Sequence, residues 1–319
     1  MRKENDSKKL SILVTGGAGF IGSNLVERLV GDGHTVVVLD NFSLGKMDNI
    51  SAVKGKIEII KGDIRDFETV KKAAKGVDIV FNQAAASSSP MFLNDLRNAV
   101  SVNVDGFINV LNACRVNNVR KLIYASTSSV YGNTKPPLKE DAKLSPVNFY
   151  SSSKLMNEHL AVLFSREYGL ETVGFRYLSI YGPNEKSKGI YANLASQFLW
   201  AMQKGEQPVL YGDGNQTREF TYVKDIVAAN ILAMKSRKLG SEVFNVGTGS
   251  TNSLNELVAT INKLLGTSIK PKYVKNTVKN YIQSQLSDIT KIKSVLGYSP
   301  QYTLEKGLKE LIEWTSQNP

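Results

Sequence analysis

The sequence Leu10-Ser11-Ile12-Leu13-Val14-Thr15 leads directly into Gly16-Gly17-Ala18-Gly19-Phe20-Ile21-Gly22. A short run of nearly continuous apolarity is typical of a parallel strand covered on both faces. Glycines at positions 16, 19 and 22 allow a tight turn, close approach of the backbone to a pyrophosphate, and close packing of a helix on a strand. Amides at the start of that helix would face the phosphates. The stretch therefore predicts a dinucleotide-binding strand-turn-helix unit.

Asp40 ends the next apolar run, residues 35–40, at about the interval from the glycines that such a unit requires. Its carboxylate can accept hydrogen bonds from the hydroxyls of an adenosine ribose. The same negative charge would repel a 2′-phosphate, so the sequence favours NAD over NADP. A purely structural glycine turn is the alternative interpretation.

Strand-like and helix-like segments alternate through the first half of the chain. Further short runs rich in Val and Ile occupy residues 57–61, 78–82, 121–125 and 172–176. Amphipathic stretches between the runs occupy residues 21–30, 66–74, 100–116 and 151–168. This alternation predicts an α/β fold with a Rossmann-like, doubly wound parallel sheet.

Beyond Arg176 the alternation loosens and turn signals appear at residues 181–184, 211–215 and 245–249. Helical patterns follow at residues 192–204, 223–235, 254–264 and 304–314. We predict an NAD-binding domain at 1–178 and a smaller C-terminal α/β substrate lobe at 179–319. A part of the lobe, at about 223–250, is expected to return and pack on the first domain.

Composition restricts the classes of function. The 319 residues are 42% hydrophobic and 22% charged, as in an ordinary globular protein, and contain no apolar run of about 18 residues. Residues 1–9 are charged and do not resemble a secretory signal. Cys114 is the only cysteine, which excludes an intrachain disulfide and favours the cytoplasm. With only two histidines, a His/Cys metal site is not expected.

The net charge of +11 is compatible with nucleic acid or with an anionic small molecule. The lysines are scattered, and they are not interleaved with aromatic residues as a groove for single strands would require. The charge is therefore interpreted as solvated surface that also suits a phosphorylated ligand, and no nucleic-acid partner is expected.

Tyr150 and Lys154 form a candidate catalytic pair in Phe149-Tyr150-Ser151-Ser152-Ser153-Lys154. In a helix, a spacing of four places the phenol and the ammonium on one face. A free tyrosine, with a pKa of about 10, is a poor base at neutral pH, and a neighbouring lysine favours the phenolate. The hydroxyl of Thr127 could pass a proton between the phenolate and a substrate alcohol. A surface Tyr–Lys pair is the alternative.

The three-residue spacing of the glycines, together with Tyr150 and Lys154, resembles the extended short-chain dehydrogenase/reductase family. Within it the chain is similar to nucleotide-sugar epimerases of the UDP-glucose 4-epimerase type, over residues 10–297. Further motifs that carry the resemblance are Leu39-Asp40-Asn41-Phe42-Ser43, Gly62-Asp63-Ile64, Gln83-Ala84-Ala85-Ala86, Ser128-Ser129-Val130-Tyr131-Gly132, Tyr211-Gly212-Asp213-Gly214 and Thr217-Arg218-Glu219-Phe220.

The resemblance implies roles for individual residues. Catalysis would fall to Tyr150, Lys154 and Thr127, and Lys154 would also hold the nicotinamide ribose. The residues implied to bind the cofactor are Gly16, Gly19, Phe20, Ile21, Gly22, Asp40, Asn41, Asp63, Ile64, Ala84, Ala85, Ala86 and Lys154. The residues implied to bind the substrate are Ser87, Ser126, Ser128, Tyr150, Ser179, Asn193, Leu194, Arg218 and Gln285, with Arg218 clamping the pyrophosphate.

The family resemblance also implies a reaction. Dehydrating relatives carry Asp-Glu directly after the catalytic Thr, and decarboxylating relatives carry Glu two places after it. Here Ser128 and Ser129 follow Thr127, and neither can serve as a carboxyl acid or base. The implied reaction is NAD-dependent 4-epimerisation of a UDP-hexose or a UDP-N-acetylhexosamine through a 4-keto sugar.

Three positions depart from the family pattern. Ser179 replaces a usual Asn, and Val278 stands where an arginine is expected, with Lys275 and Lys279 as candidate substitutes. Gln285 is smaller than the Tyr of strict hexose epimerases, so an N-acetyl group could fit.

The sequence is also compatible with other functions. A uronic acid 4-epimerase, a 4-keto sugar reductase and a non-catalytic dinucleotide-binding regulator are the alternatives. In relatives, helices corresponding to 100–116 and 151–168 form a four-helix dimer interface, which implies a homodimer. Alternatively, their apolar faces pack within the subunit; these faces contain Ile108, Leu111, Leu160, Leu163 and Phe164.

Overall fold

The computed structural model describes residues 9–276 and 282–318. The strands in these ranges are β1 Ser11–Thr15, β2 Thr35–Asp40, β3 Ile57–Lys61, β4 Ile79–Asn82, β5 Lys121–Thr127, β6 Glu171–Tyr177, β7 Ile180–Tyr181, β8 Val209–Tyr211, β9 Thr217–Arg218, β10 Thr221–Tyr222, β11 Ser241–Val246, β12 Asn252–Ser253 and β13 Lys272–Val274.

The helices in the same ranges are α1 Phe20–Gly31, α2 Phe67–Ala73, α3 Ser89–Asn94, α4 Leu96–Asn103, α5 Asp105–Val116, α6 Phe149–Tyr168, α7 Leu194–Gln203, α8 Val223–Lys235, α9 Leu254–Leu265, α10 Thr290–Leu296 and α11 Leu304–Gln317. Three 3₁₀ segments accompany them: Met47–Lys56, Ser128–Tyr131 and Glu185–Tyr191.

Seven strands form one parallel sheet in the order β11-β6-β5-β4-β1-β2-β3. Its central strands are buried on both faces, because α1 and α8 pack on one face and α2, α5 and α6 pack on the other. The predicted doubly wound α/β fold is confirmed. Parallel strands present their carboxyl ends at one edge, and in such sheets that edge holds the ligands.

The sequence-based assignment was wrong at one helix. The predicted helix at 100–116 is two helices, α4 and α5, which meet at Val104 with φ −102° and ψ −60°. The break lies beside Gly106, where a Cβ atom would stand 2.6 Å from the side chain of Ile64. The break between α4 and α5 thus lies where the chain packs closely on Ile64. The helix propensities of the residues do not indicate this packing.

The sequence pattern also predicts no strand at β11, because residues 245–249 carry turn signals. The first two of these residues, Asn245 and Val246, instead complete β11, and the turn begins only at Gly247. The strand lies at the edge of the large sheet beside β6, although it follows the residues of the second half in the chain.

A second group of elements covers the carboxyl edge of the sheet. The helices α7, α9 and α11 share an apolar core with β7, β8 and β10, centred on Tyr181, Leu199 and Leu257. The helix α8 does not contribute to this second core; most of its buried apolar residues belong to the core of the large sheet, where α8 contacts α1. No helix in the described ranges is both long and apolar enough to cross a membrane. These ranges also contain no group of three His, Cys, Asp or Glu side chains that could hold a metal ion.

Candidate functional site

Two adjoining cavities open at the carboxyl ends of the sheet strands. The Gly16 cavity, of about 440 Å³, lies above β1, β2 and β4. The Tyr150 cavity, of about 400 Å³, lies between the ends of β5 and β6 and the second group of elements. Six residues line both cavities: Phe20, Ile21, Gln83, Ala85, Ser87 and Lys188.

The glycines of the Gly16 cavity are required by its geometry. Gly16 has φ +66°, in the left-handed region that favours glycine. A Cβ atom at Gly22 would stand 2.1 Å from the carbonyl oxygen of Gly16, so α1 can pack on the turn only with glycine there. Gly19 precedes α1 and has no side chain to cap it, and the first turn carries no acidic residue. The amino end of α1 therefore suits an anionic group.

Two carboxylates stand at the far end of the Gly16 cavity. Asp40 accepts hydrogen bonds from the backbone amides of Ala18 (2.9 Å) and Phe42 (2.8 Å), which hold it at the end of β2. Burial raises the pKa of Asp40, and these two bonds oppose the rise. The pKa of Asp63 is lowered to about 2, chiefly by hydrogen bonding from Arg65, and Asn41 also donates to this carboxylate. Asp63 is thus ionised at neutral pH.

The structure brings the predicted cofactor residues together, with one exception. Lys154 lines the Tyr150 cavity and does not line the Gly16 cavity. Arg65, which no sequence motif indicates, lines the Gly16 cavity and donates to Asn98 at 2.8 Å. The predicted residues that line this cavity are Gly16, Gly19, Phe20, Ile21, Gly22, Asp40, Asn41, Asp63, Ile64, Ala84, Ala85 and Ala86.

Tyr150 and Lys154 lie in the first two turns of α6. Asn148 and Ser151 start this helix with a reciprocal capping box. The helix ends at Gly169, which adopts φ +70°. The ring of Tyr150 packs edge-on against Phe92, with the ring centroids 5.9 Å apart. The amino end of α6 is therefore well defined, and the cap directs both side chains into the Tyr150 cavity.

The pKa of Tyr150 does not follow the expectation from its spacing to Lys154. Burial raises the pKa of Tyr150, and a hydrogen bond from Thr127 only partly offsets the rise. Lys154 donates to the carbonyl oxygen of Ala125 at 3.0 Å, and burial lowers its pKa to about 8. At pH 7 Lys154 therefore remains largely protonated. The prediction that the pKa of Tyr150 is lowered is wrong for the protein without a ligand. Burial of the phenol raises this pKa more than the hydrogen bond of Thr127 lowers it.

Thr127 is oriented for an exchange of protons with Tyr150. It is the last residue of β5, and its oxygen accepts the backbone amide hydrogen of Ser129 at 3.2 Å. A hydrogen bond between Thr127 and Tyr150 lowers the pKa of the phenol. Proton transfer within a positioned pair of this kind requires only small movements.

A buried ion pair supports the floor of the Tyr150 cavity. Glu158, on α6, accepts hydrogen bonds from Arg176 Nη2 at 2.8 Å and from Nε at 3.0 Å. The same carboxylate accepts a 2.5 Å hydrogen bond from Ser126, which lines the cavity. Arg176 also donates to Tyr131 at 2.8 Å. The network joins β5, β6 and α6 directly beneath Thr127.

The predicted substrate residues all line the Tyr150 cavity. Ser179 adopts φ +35°, in the left-handed region, which is uncommon for residues other than glycine. Asn193 caps α7 through a 2.9 Å bond from the amide of Ala195. The full set is Ser87, Ser126, Ser128, Tyr150, Ser179, Asn193, Leu194, Arg218 and Gln285, together with Thr127 and Lys154.

Serine hydroxyls form much of the wall of the Tyr150 cavity. The hydroxyl oxygens of Ser87 and Ser88 are buried and have no hydrogen-bond partner among the described residues. Buried polar atoms are normally hydrogen-bonded, so these two are available to a polar ligand. Gln285 is buried and donates to Ser128 at 3.4 Å. The cavity is thus suited to a ligand rich in hydroxyl or amide groups.

The family pattern places an arginine at position 278, and this position lies outside the described residues. Val278 and Lys279 are in the undescribed segment, and Lys275 is exposed after β13 and lines neither cavity. Glu185 and Lys188 line the Tyr150 cavity, and no sequence motif indicates either of them.

Comparison with known proteins identifies similar chains over almost the entire length. Residues 12–247 match the model of the NAD dependent epimerase/dehydratase family. The chain is 36% identical to a putative UDP-glucose 4-epimerase of Methanocaldococcus jannaschii, over 96% of this chain and 99% of the relative. It is also 36% identical to a UDP-N-acetyl-alpha-D-glucosaminuronate decarboxylase of Bacillus cytotoxicus, over 96% and 98% of the two chains.

Among solved structures, the chain is similar to the UDP-N-acetylglucosamine 4-epimerase of Methanobrevibacter ruminantium in complex with UDP-N-acetylmuramic acid. The TM-score is 0.92 and the identity 34%, over 98% of this chain and 100% of that chain. Relatives of similar identity thus differ in sugar and in reaction, so identity alone does not assign either one.

Proposed function

Since the chain belongs to the NAD dependent epimerase/dehydratase family, we propose that it is a 4-epimerase of a UDP-hexose or a UDP-N-acetylhexosamine. The observation that carries the proposal is the convergence of Tyr150, Thr127 and Lys154 in a cavity that shares a wall with the Gly16 cavity. A sugar alcohol in the Tyr150 cavity would be close to both a proton acceptor and the cofactor site.

The chain fits the NAD on which its family depends. The uncapped start of α1 at Phe20 suits the pyrophosphate, and Asp40 suits the adenosine ribose. We propose that Asp63 and Ile64 border the adenine and that Ala84–Ala86 line the nicotinamide side. When bound, NAD supplies a reversible hydride acceptor for carbon 4 of the sugar.

The protein groups have distinct tasks in this proposal. Tyr150, through Thr127, accepts the proton of the 4-hydroxyl as the alcohol is oxidised and donates it again when the keto group is reduced. The raised pKa of Tyr150 favours the protonated phenol, which suits the donating step. Lys154 carries a positive charge at neutral pH and is held by Ala125, so it supports negative charge that develops nearby.

Two serines argue against elimination and decarboxylation. Ser128 and Ser129 both line the Tyr150 cavity, at the positions where dehydrating and decarboxylating relatives carry carboxylates. A hydroxyl with its high pKa does not replace a carboxyl group as an acid or base near pH 7. We therefore propose that the chain does not catalyse elimination or decarboxylation.

The proposed sugar follows from the size and polarity of the wall. Because Gln285 is smaller than the Tyr of strict hexose epimerases, we propose that an N-acetyl group can enter, and the unpaired hydroxyls of Ser87 and Ser88 can hydrogen-bond its amide. We propose that Arg218, which lines the same cavity, holds the pyrophosphate of the substrate.

Incubation of the purified chain with single UDP-sugars tests the function. We expect interconversion of the C4 epimers of UDP-glucose or of UDP-N-acetylglucosamine, followed by NMR, without consumption of added NADH, because no net oxidation occurs. Epimerisation restricted to UDP-glucuronic acid would assign the uronic acid alternative. Consumption of one NADH per product would assign a reductase. Either result would contradict the proposal.

We also propose a homodimer formed by α5 and α6. Leu163 (58% exposed), Tyr168 (53%) and Met156 (45%) lie on the outer surface of α6, and Val116 (42%) ends α5. Apolar side chains concentrated on adjoining helices favour burial against a second copy.

The variant Leu163→Glu is expected to convert the dimer to a monomer, because it places a charge in the centre of this apolar face. Sedimentation of the wild type and the variant at micromolar concentration measures the change. Glu substituted at Val295, an exposed residue of α10, is the control and should leave the mass unchanged. A wild type that sediments as a monomer would contradict the proposal.

A further inference from the structure

One charged residue belongs to both cavities. Of the six residues that the Gly16 and Tyr150 cavities share, five are neutral and the sixth is Lys188. Its side chain is 18% exposed, so it is largely removed from solvent at the junction. Its ammonium stands 5.7 Å from the ring centroid of Phe20, the first residue of α1. A cation is thus held beside the amino end of the helix that closes the glycine turn.

Glu185 holds Lys188 in this position. Glu185 is fully buried, and its carboxylate accepts the amide of Asn193 at 2.8 Å and the hydroxyl of Ser196 at 2.6 Å. Its distance to the ammonium of Lys188, 3.5 Å, is the longest among the ion pairs of the described residues. Two neutral donors therefore share the carboxylate with Lys188, and the long separation leaves the ammonium able to contact an incoming anion while it stays near Glu185.

We propose that Lys188 binds a pyrophosphate at the junction of the two cavities. The inference rests on the proposed function, in which NAD and the UDP-sugar each contain a pyrophosphate. A lysine ammonium supplies three donors and a point charge, which suits phosphate oxygens approached from different directions.

The variant Lys188→Met tests this role, because it retains the length of the side chain and removes the charge. Protein saturated with NAD is mixed with excess ADP-ribose, and the NAD released is measured with time. In parallel, the affinity of the NAD-loaded protein for UDP is measured by calorimetry. We expect faster release of NAD, weaker binding of UDP, or both, by about tenfold to a hundredfold, as for a lost charge-assisted hydrogen bond.

Two further variants serve as controls. Lys186→Met removes an exposed charge two residues away, on the wall of a different cleft, and should leave both measurements unchanged. Lys188→Arg keeps the charge and should retain most of the wild-type binding. A single cooperative thermal transition of Lys188→Met, well above the temperature of the binding measurements, would show that the fold is intact even though Glu185 has lost its cation.

The two measurements separate the sources of the pyrophosphate. An effect on NAD release alone assigns Lys188 to the cofactor, and an effect on UDP alone assigns it to the substrate. If Lys188→Met gives the same NAD release and the same UDP affinity as Lys186→Met, the inference is overturned. If the wild type binds no UDP but releases NAD faster after Lys188→Met, the proposed substrate is wrong and the role of Lys188 toward NAD stands.

Discussion

Replacing Tyr150 by phenylalanine is expected to lower turnover of the epimerase reaction by about 10²–10⁴-fold, the usual contribution of a positioned acid or base. The variant removes the phenolic oxygen that receives the hydrogen bond from Thr127 and keeps the ring that packs against Phe92. Binding of NAD and of UDP should change little. Turnover is measured by NMR at saturating UDP-sugar, together with the NAD content of the purified protein.

The dependence on pH gives a second measurement for the same variant. The oxidation step requires the phenolate, and burial raises the pKa of Tyr150. Below that pKa the phenolate fraction grows as the pH rises, so wild-type turnover should rise with pH up to about pH 8, where Lys154 begins to lose its positive charge. The rise should be absent in Tyr150→Phe.

A matched control for Tyr150→Phe is available on the same helix. Tyr168→Phe removes a hydroxyl at the other end of α6, keeps the ring that belongs to the proposed dimer face, and should leave turnover within about twofold. Turnover near the wild-type value in Tyr150→Phe, with a folded protein that retains NAD, would refute the assignment of the catalytic acid and base.

The variant Arg176→Met is expected to lower the free energy of unfolding by about 3–5 kcal/mol, because it leaves a buried carboxylate without its cation. Arg176 and Glu158 are each only 4% exposed, and the pair connects β6 with α6. Turnover should fall as well, because Glu158 accepts the hydrogen bond from Ser126 and thereby holds the end of β5. Unfolding in urea, followed by circular dichroism, measures the stability.

An exposed pair on the first helix is the control for Arg176→Met. Arg28 and Asp32 form an ion pair four residues apart, with side chains 48% and 26% exposed. Pairs of this kind contribute about 0.2–1 kcal/mol, so Arg28→Met should have a small effect. Similar losses of stability in both variants would show that the buried network contributes no more than a surface pair.

The fold and much of the site could be predicted because their signals are local. Gly16 adopts a positive φ and a Cβ atom at Gly22 would collide with the backbone of Gly16, both within one turn, and Asp40 ends the strand beside that turn. Tyr150 and Lys154 are one helical turn apart. Each of these relations lies within one helix or one strand-helix-strand unit, so the sequence pattern indicates it.

Features that depend on distant parts of the chain could not be predicted in this way. Lys188 acquires its position from Glu185, which in turn is held by the start of α7. The pKa of Tyr150 depends on burial beside Phe92, which the spacing to Lys154 does not indicate. The strand β11 contains Ser241 and Glu242 and becomes a strand because β6 offers a free edge.

The position of β11 has a consequence for synthesis on the ribosome. Its neighbour β6 emerges first, and the whole segment 178–240 must follow before the covering strand is made. Until then the nascent chain presents an unpaired row of backbone donors and acceptors along β6, a surface on which other chains can add. A ribosome that stalls within this interval would release a product prone to aggregation, so we expect the nascent protein to engage chaperones there.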